Sequence, residues 1–399
     1  MKKLFFTLVL ACIGLTATAQ EVRRSWSGNL EAMGQKLPIV LNLVDGKCTL
    51  DSPAQGATGI PATVDLLTKD SIKVSVKSLG ATYVACFVYG QLQGTFAQAG
   101  MKLPLNMKEI SPDGPNRPQT PKGPFPYTTE EVTFTNTMAG ATLAGTLTVP
   151  QGGAKCVMIM VTGSGPENRD EEIYAHKPFA VIADRLARAG IATLRYDDRA
   201  TGQSVGGDMQ NATSADLAED ATAGIEWLRM QKRFKKVGLM GHSEGGLIAF
   251  MLGAQKKVDF IVSLAGPAVK GDSILLYQSR NSGSSLAKGI TMEYLRNMMK
   301  GNKWVEWFMD YDPTENIAKT KCPVLALNGS KDCQVPAAQN IPVLRRLLPK
   351  NKKTKIKEYE GLNHLFQHCN TGRPDEYYSI EETIAEEVLE DMIDWIKKL

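Results

Sequence analysis

The hydrophobic and polar positions divide the chain into two parts with different periods. Up to about residue 108, short segments alternate apolar with polar residues and end at Gly or Asp-Gly turns, as in 37–44 and 71–76. A period of two predicts antiparallel strands with one buried face. No stretch of this part has a helical period of useful length. We therefore expect residues 20–110 to form a small antiparallel β domain, either a sandwich or a barrel.

From residue 127 onward the pattern predicts strands that alternate with helices. An antiparallel pair at 132–135 and 143–149 comes first, and the continuous apolar run 156–161 is typical of a strand buried on both faces. Further strands are predicted at 191–196, 237–240, 260–264, 324–327 and 355–359, and helices at 179–189, 217–230 and 384–396. This alternation indicates an α/β class, with a mostly parallel sheet and helices on both faces over residues 127–399.

Two stretches interrupt these patterns. Residues 111–126 hold six prolines, which predicts an extended, semi-rigid linker between the two domains. The other stretch is the 57 residues between Leu264 and Cys322, more than one crossover helix needs, and it predicts a helical lid at about 266–320. Its methionine and aromatic residues either line an apolar pocket or only pack the lid on the core. They are Met292, Met298, Met299, Trp304, Trp307, Phe308 and Met309.

The first 19 residues have the pattern of a secretory signal peptide. Lys2 and Lys3 precede the apolar stretch 4–15, and Ala17-Thr18-Ala19 is a small-residue cleavage site. The apolar stretch is shorter than the roughly 18 residues that a membrane-spanning helix needs. The alternative is a lipoprotein that carries its lipid on Cys12. We expect a secreted or periplasmic protein without a membrane span.

Composition and charge narrow the classes of function. Hydrophobic residues make up 43% of the chain and charged residues 22%, as in ordinary globular proteins. The net charge is +4 and the one dense basic run is 350–357, so no nucleic-acid partner is predicted. The sequence contains no Cys-x-x-Cys, no His-Glu-x-x-His and no P-loop motif. We therefore predict neither a metal nor an organic cofactor.

One motif points to nucleophilic catalysis. The strand predicted at 237–240 runs into Gly241-His242-Ser243-Glu244-Gly245-Gly246, and an apolar helix follows. In this context a Gly-x-Ser-x-Gly turn exposes its serine at the end of a sheet. Ser243 is the predicted nucleophile, and the amide of Glu244 a predicted oxyanion donor. The Glu244 side chain is either an acid favoured at a helix start or a group that recognises a cation.

A serine nucleophile needs a base and a carboxylate that orients the base. The chain has four histidines, and His364, which follows the strand at 355–359, is the predicted base. His368, one helical turn later, is expected at the surface or in a supporting position. Asp332 is the predicted acid because it is the one carboxylate in the loop after the strand at 324–327.

The loop after the strand at 156–161 completes the predicted site. In folds where a Gly-x-Ser-x-Gly turn presents the nucleophile, this loop supplies the second amide of the oxyanion hole. We assign that donor to the backbone N–H of Ser164, with Gly163 as the alternative.

Two cysteines flank the predicted acid and base. Cys333 follows Asp332, and Cys369 lies five residues after His364. In an oxidising compartment a disulfide between them is one alternative. Two buried free thiols are the other.

At these residues the chain resembles the α/β-hydrolase superfamily, and within it secreted bacterial esterases with a small N-terminal β domain. The resemblance covers residues 127–399, through the motifs at 162–166, 195–199, 202–204 and 241–246 together with Asp332 and His364. The family usually reads Asp-x-Arg-Gly-x-Gly-x-Ser in the second and third of these motifs, and Ala200 replaces the first glycine here. That position is structural, so catalysis is still expected.

These observations together predict a secreted serine hydrolase of the carboxylesterase type, acting on a small-molecule ester. The adaptable apolar lid predicts short to medium uncharged acyl groups. One alternative is a peptidase of the prolyl type, although residues 20–110 are too few for the β-propeller of such enzymes. Thioesterase action, or deacetylation of a sugar ester, is another. A glycan or protein contact is expected only through the N-terminal β domain.

Overall fold

The protein is described by a computed structural model over residues 23–32, 35–44, 46–55, 57–281 and 286–399. The predicted signal peptide and Cys12 lie outside these residues. Within the described part of the chain, none of the helices combines the length and the apolar character that crossing a bilayer requires.

In the described N-terminal residues, eight antiparallel strands close into a barrel. The alternation of the sequence turns one face of each strand inward, so that Ile72, Val74 and Val76 are buried around Trp26, which has no exposed surface. The first strand closes the barrel by pairing with the eighth, for example Ser25 with Ile110. Of the two expected forms, the structure has the barrel. Its strands are β1 (Arg24–Ala32), β2 (Gln35–Val44), β3 (Lys47–Ser52), β4 (Ala57–Leu67), β5 (Ser71–Val76), β6 (Ala81–Val88), β7 (Gln91–Gln98) and β8 (Met101–Ile110).

The C-terminal part is built on an eight-stranded sheet in the order β16-β15-β14-β13-β11-β12-β10-β9. Strands β11 to β16 run parallel to their neighbours among themselves, and β9 and β10 form an antiparallel edge. This mostly parallel sheet confirms the predicted α/β class. The strands are β9 (Tyr127–Asn136), β10 (Ala141–Pro150), β11 (Cys156–Val161), β12 (Ala192–Tyr196), β13 (Lys236–His242), β14 (Ile261–Leu264), β15 (Val324–Gly329) and β16 (Lys355–Tyr359).

Helices cover both faces of this sheet, as predicted. One face packs against a core that includes Leu217, Leu247 and Leu344, and the other against a core that includes Phe179 and Met392. Each core is continuous with the apolar side chains of the buried strands. The helices are α1 (Pro178–Arg188), α2 (Ser214–Met230), α3 (Glu244–Ala254), α4 (Gly271–Arg280), α5 (Met292–Met298), α6 (Lys303–Asp310), α7 (Thr314–Lys319), α8 (Ala337–Leu347), α9 (Pro374–Tyr377) and α10 (Glu386–Lys397).

The long connection between β14 and β15 is helical. Helices α4 to α7 lie within it, so the described part of the expected lid is made of short helices. The first turns of α5 and α6 are capped by the side chains of Thr291 and Asn302, which accept hydrogen bonds from backbone amides.

The proline-rich segment 111–126 contains neither helix nor strand, but it is not a free spacer. The guanidinium of Arg117 donates to the carbonyl oxygens of Tyr174, Tyr378 and Ile380 at 2.7–2.9 Å. The carboxamide oxygen of Gln119 accepts from backbone amides at 383–384. Polar side chains between the prolines therefore fix the segment to the C-terminal domain.

Candidate active site

Ser243 lies in a strained turn between β13 and α3, with φ 52° and ψ −116°. The turn is too tight for side chains on either side of it, since a Cβ on Gly241 would lie 1.9 Å from the carbonyl oxygen of Gly245. A Cβ on Gly245 would lie 2.1 Å from the carbonyl oxygen of Val161. The glycines thus permit the conformation that projects the Ser243 hydroxyl from the sheet end.

His364 and Asp332, predicted as base and acid, are in direct contact. His364 Nδ1 lies 2.8 Å from Asp332 Oδ2, and both side chains are almost fully buried. Asp332 Oδ1 accepts the backbone amides of Gln334 and Val335, each at 2.8 Å. The carboxylate is therefore fixed with one oxygen toward the imidazole, which leaves Nε2 of His364 as the nitrogen able to act as base.

A second histidine supports the first. His242 Nε2 lies 3.0 Å from the carbonyl oxygen of His364, and His242 Nδ1 lies 2.9 Å from Glu171 Oε1. Burial lowers the pKa of His242, but the charge and hydrogen bond of Glu171 outweigh this effect, and the pKa is raised. Both ring nitrogens face acceptors, so the imidazolium form satisfies both contacts. Sequence reasoning did not find Glu171, which lies outside every motif.

The structure places Ser164, one of the two predicted oxyanion donors, in the wall of the cavity that contains Ser243. Glu244, the other, begins α3, where the first amides have no acceptor within the helix. The alternative donor does not fit: the amide of Gly163 donates to Glu171 Oε1 at 3.1 Å. The backbone N–H groups of Ser164 and Glu244 stay the predicted pair.

The cavity at Ser243 has a volume of about 260 Å³. Ser243, His364, Ser164 and Glu244 line it, whereas Asp332 lies behind the imidazole. The apolar part of the wall comes from the lid and from loops of the sheet. It consists of Ile173, Pro267, Ile274, Leu275, Trp304, Phe308, Val335 and Leu365.

Of the seven methionine and aromatic residues named in the lid, Trp304 and Phe308 line this cavity. Their rings are stacked, with centroids 5.2 Å apart. Trp307 instead stacks on Tyr311 with centroids 4.5 Å apart. The methionines at 292, 299 and 309 pack within the lid, and Met298 is 61% exposed. The expectation of an apolar pocket therefore holds for two of the seven, and Trp307 is not a pocket residue.

The cavity wall also contains buried carboxyl groups that sequence reasoning did not single out as a group. Burial, with the charges of Glu171, Asp198 and Glu244, raises the pKa of Glu167 well above its usual value. Asp198 lies outside the wall but accepts the backbone amide of Glu167, and burial raises the pKa of Asp198 to about 8. Burial also raises the pKa of Glu244, against hydrogen bonds from the side chains of Ser214, Trp304 and Ser164. The site therefore contains more carboxyl groups than its motifs indicate.

The two remaining histidines, His368 and His176, do not line the cavity. His368 is half-exposed and contacts Glu382. His176 is fully buried, with Nδ1 3.0 Å from Thr383 Oγ1 and Nε2 3.0 Å from the carbonyl oxygen of Tyr377.

His176 makes the fold sensitive to acid. Burial and the charge of Arg117 lower its pKa from 6.5 to about 4. Between pH 6.5 and 4 the unfolded chain therefore binds a proton that the folded chain does not, and stability falls as the pH falls. We expect His176 to contribute a loss of about 3 kcal/mol in the free energy of unfolding between pH 7 and pH 4.

Urea denaturation of wild type, His176→Gln and His368→Gln across this pH range measures that contribution. His176→Gln should flatten the wild-type slope, and His368→Gln is the control because it makes the same substitution at an exposed histidine. An unchanged slope in His176→Gln would show that other groups cause the acid sensitivity.

The structure has Cys333 and Cys369 as free thiols. Cys333 Sγ donates to the carbonyl oxygen of Gly372 at 3.1 Å, and Cys369 Sγ to that of Gly361 at 3.3 Å. Burial raises the pKa of Cys333 to about 12, so this thiol is protonated at neutral pH. Of the two alternatives, the structure therefore has the free thiols.

Among the described residues, no group of three or more His, Cys, Asp or Glu side chains is placed to hold a metal ion.

Comparison with known proteins identifies two matching family models. Residues 176–313 match the model described as serine aminopeptidase, S33, and residues 302–399 match that of the dienelactone hydrolase family. Esterase EstD of Thermotoga maritima is 27% identical over 273 residues, which are 64% of this chain. The match spans 66% of that relative's length, slightly less than two thirds. An uncharacterised 31.7 kDa protein of Escherichia coli is 26% identical over 197 residues, 40% of this chain and 68% of the relative.

Two solved structures align with about two thirds of this chain or slightly more. The Pyrococcus furiosus esterase Pf2001 aligns with 71% of this chain and 98% of its own, at a TM-score of 0.49 and 19% identity. Est1E of Butyrivibrio proteoclasticus with bound ferulic acid aligns with 67% of this chain and 100% of its own, at a TM-score of 0.47 and 17% identity. The family models and the relative from Thermotoga maritima agree with the predicted superfamily. The chain therefore has an α/β-hydrolase fold, and its sequence is similar to that of the esterase from Thermotoga maritima.

Proposed function

We propose that the protein is a secreted or periplasmic serine hydrolase that cleaves carboxylic esters with Ser243, His364 and Asp332. The observation that carries the proposal is the 2.8 Å contact between His364 Nδ1 and Asp332 Oδ2, with His364 in the wall of the cavity that contains Ser243. Export rests on the sequence pattern of residues 1–19.

In the first half of the reaction, Ser243 Oγ attacks the ester carbonyl carbon while Nε2 of His364 takes its proton. Asp332 keeps the imidazole in the required tautomer and stabilises the cation that forms. The amides of Ser164 and Glu244 donate to the developing oxyanion. Collapse of this intermediate breaks the bond to the alcohol, which leaves with the proton held by His364.

In the second half, water attacks the acyl group on Ser243. His364 takes a proton from the water, and the same two amides again donate to the oxyanion. The carboxylic acid leaves as the proton returns to Ser243 Oγ. No step requires a metal or an organic cofactor.

A panel of acyl esters, acyl thioesters, sugar acetates and aminoacyl amides, assayed with the full chain, tests the reaction class. We expect hydrolysis of simple acyl esters to have the highest kcat/KM. Faster hydrolysis of aminoacyl amides would contradict the esterase proposal and favour the prolyl-type peptidase. The barrel at residues 24–110 already disfavours that alternative, because it takes the place of a propeller. A glycan or protein contact of the barrel stays a prediction.

The stacked pair of Trp304 and Phe308 predicts how the enzyme selects acyl chains. If Phe308 covers the far end of a short acyl chain, Phe308→Ala should lower kcat/KM about tenfold more for a butanoate than for an acetate ester. Two extra methylene groups are worth on the order of 1.5 kcal/mol in an apolar pocket.

Trp307→Ala is the matched control for this prediction. It removes an aromatic ring from the same helix, but Trp307 stacks on Tyr311 and does not line the cavity. Its loss should therefore be equal for the two esters. A selective loss for butanoate in Trp307→Ala, or equal losses in Phe308→Ala, would contradict the assignment of the acyl pocket.

A further inference from the structure

One part of the cavity wall at Ser243 is acidic. Glu167, Glu171 and Glu244 line it, and among the described lining residues there is neither lysine nor arginine. The other ionisable groups of the lining are His242, which already pairs with Glu171, and His364, which must be neutral to act as a base. The cavity therefore carries an excess of acidic groups beside the reacting serine.

The well-formed hydrogen bonds of the Glu244 carboxylate go to one of its two oxygens. The residue is 1% exposed, and its Oε1 accepts from Ser214 Oγ at 2.6 Å and from Trp304 Nε1 at 2.8 Å. Its Oε2 is buried and accepts no hydrogen bond of good geometry among the described residues, although the Ser164 side chain lies close enough to the carboxyl group to affect its pKa. The two contacts of Oε1 attach the start of α2 and the lid to α3, and a neutral carboxamide would serve them equally well. They do not explain a buried carboxyl group with an unpartnered oxygen.

Glu167 also has a buried carboxylate oxygen, Oε2, without a partner among the described residues, close to the nucleophile. A Cβ placed on Gly163 would lie 3.6 Å from Ser243 Cβ and 3.7 Å from Glu167 Oε1, so these atoms surround one point of the loop. Two carboxyl groups with unpartnered oxygens thus border the place where the ester must lie.

We propose that Glu244 and Glu167 form a subsite for a primary ammonium group of the substrate, held there while the ester carbonyl lies at Ser243. This proposal rests on the esterase function above and names the substrate class. An ammonium group has three N–H donors and a positive charge, and so can pair with both unpartnered oxygens. The expectation of uncharged substrates is thereby revised: cationic esters bind best and anionic esters worst.

The electrostatics of the cavity support this proposal. Burial raises the pKa of both Glu167 and Glu244, which is the state of carboxyl groups that lack a cation. An ammonium group between them favours their ionised forms. It also offsets the repulsion between these carboxylates and the oxyanion that forms beside them. Neither effect is available to an anionic substrate.

Protection against a fluorophosphonate probe tests the subsite. The rate of labelling is measured in the full-length protein with increasing n-butylammonium, 1-butanol or butanoate, three molecules of similar size and different charge. We expect n-butylammonium to protect at a concentration at least tenfold lower than 1-butanol, and butanoate to protect least. In Glu244→Gln this advantage should fall to about threefold or less. That variant keeps an acceptor for Ser214 and Trp304.

Glu293→Gln, which removes an exposed carboxylate of the lid, should keep the full advantage. If Glu244→Gln does not fold, Glu167→Gln provides the same test without altering the contact between lid and α3. Equal protection by n-butylammonium and 1-butanol, or an advantage that survives both glutamine variants, would overturn the subsite. If Ser243 is not labelled at all, the proposed function fails. Calorimetric titration of n-butylammonium into wild type and Glu244→Gln then decides the subsite by the same tenfold criterion.

Discussion

Ser243→Ala should reduce ester turnover by about 10⁶, down to the residual rate supported by the oxyanion donors and substrate binding. The substitution removes only Oγ, the atom that attacks the carbonyl. The strained backbone at φ 52° is imposed by the contacts of Gly241 and Gly245 with neighbouring backbone, and these contacts remain. The fold should therefore persist while the reaction is lost.

Single-turnover and steady-state assays with a simple acyl ester measure this loss, and circular dichroism and urea denaturation check the fold. Ser164→Ala is the matched control, because it removes the other serine hydroxyl of the cavity wall but keeps the amide assigned to the oxyanion hole. Its effect should be smaller by several orders of magnitude. Hydrolysis at the wild-type rate by a folded Ser243→Ala protein would remove Ser243 from the mechanism.

Asp332→Asn should lower kcat by about 10⁴. Asp332 Oδ1 accepts two backbone amides, so the oxygen of an asparagine carboxamide must occupy that position. Its NH₂ group then faces His364 Nδ1, where Oδ2 lies in the wild type. Nδ1 becomes an acceptor, the proton moves to Nε2, and the imidazole can no longer take the proton of Ser243.

The pH dependence of kcat and the affinity for a substrate analogue separate this effect from a packing defect. Binding should be nearly unchanged, since Asp332 lies behind His364 and outside the cavity lining. Asp310→Asn, at a 70% exposed side chain of the lid, should have no measurable effect on kcat. A loss of less than tenfold in Asp332→Asn would mean that the carboxylate does not orient the base.

The parts of the fold set by hydrophobic period could be predicted closely. The predicted strands at 71–76, 156–161 and 355–359 have the bounds of β5, β11 and β16. They are short, strongly apolar or alternating, and bounded by turn residues, so local sequence decides them. Element ends set by side chains were harder to predict: α2 begins at Ser214 because Thr213 and Asp216 cap it, three residues before its first apolar position.

Features that depend on contacts between distant segments could not be predicted. Whether the N-terminal strands form a sandwich or a barrel depends on β1 meeting β8, which the alternation within each strand does not encode. The attachment of the proline-rich segment depends on Arg117 reaching carbonyl oxygens more than 250 residues away as well as that of Tyr174. Sequence motifs predict local turns of the chain, but they do not predict which distant segments come into contact.

The same distinction applies to the candidate site. The Gly-x-Ser-x-Gly turn that holds Ser243 is a local sequence pattern and could be predicted. The order of acid and histidine along the chain then leads to Asp332 and His364. Glu171 and Glu167 have no motif, and they reach the site because their loop passes over Ser243. A signal for them exists in retrospect: the segment 167–172 holds four acidic residues directly after the predicted oxyanion loop.

Ala200, which replaces the usual glycine of the family motif, has φ 54°. This is the left-handed conformation that a glycine adopts without strain.

The most direct test of the account is to locate the adduct of a fluorophosphonate probe on the wild-type protein by peptide mass spectrometry. The account predicts one adduct, on the Ser243 Oγ, formed in proportion to the loss of ester hydrolysis. Labelling should be slowed strongly in Asp332→Asn, because the attack requires a neutral His364 with a free Nε2. An adduct on another residue, or ester hydrolysis that continues with Ser243 fully modified, would contradict the assignment of Ser243 as the nucleophile.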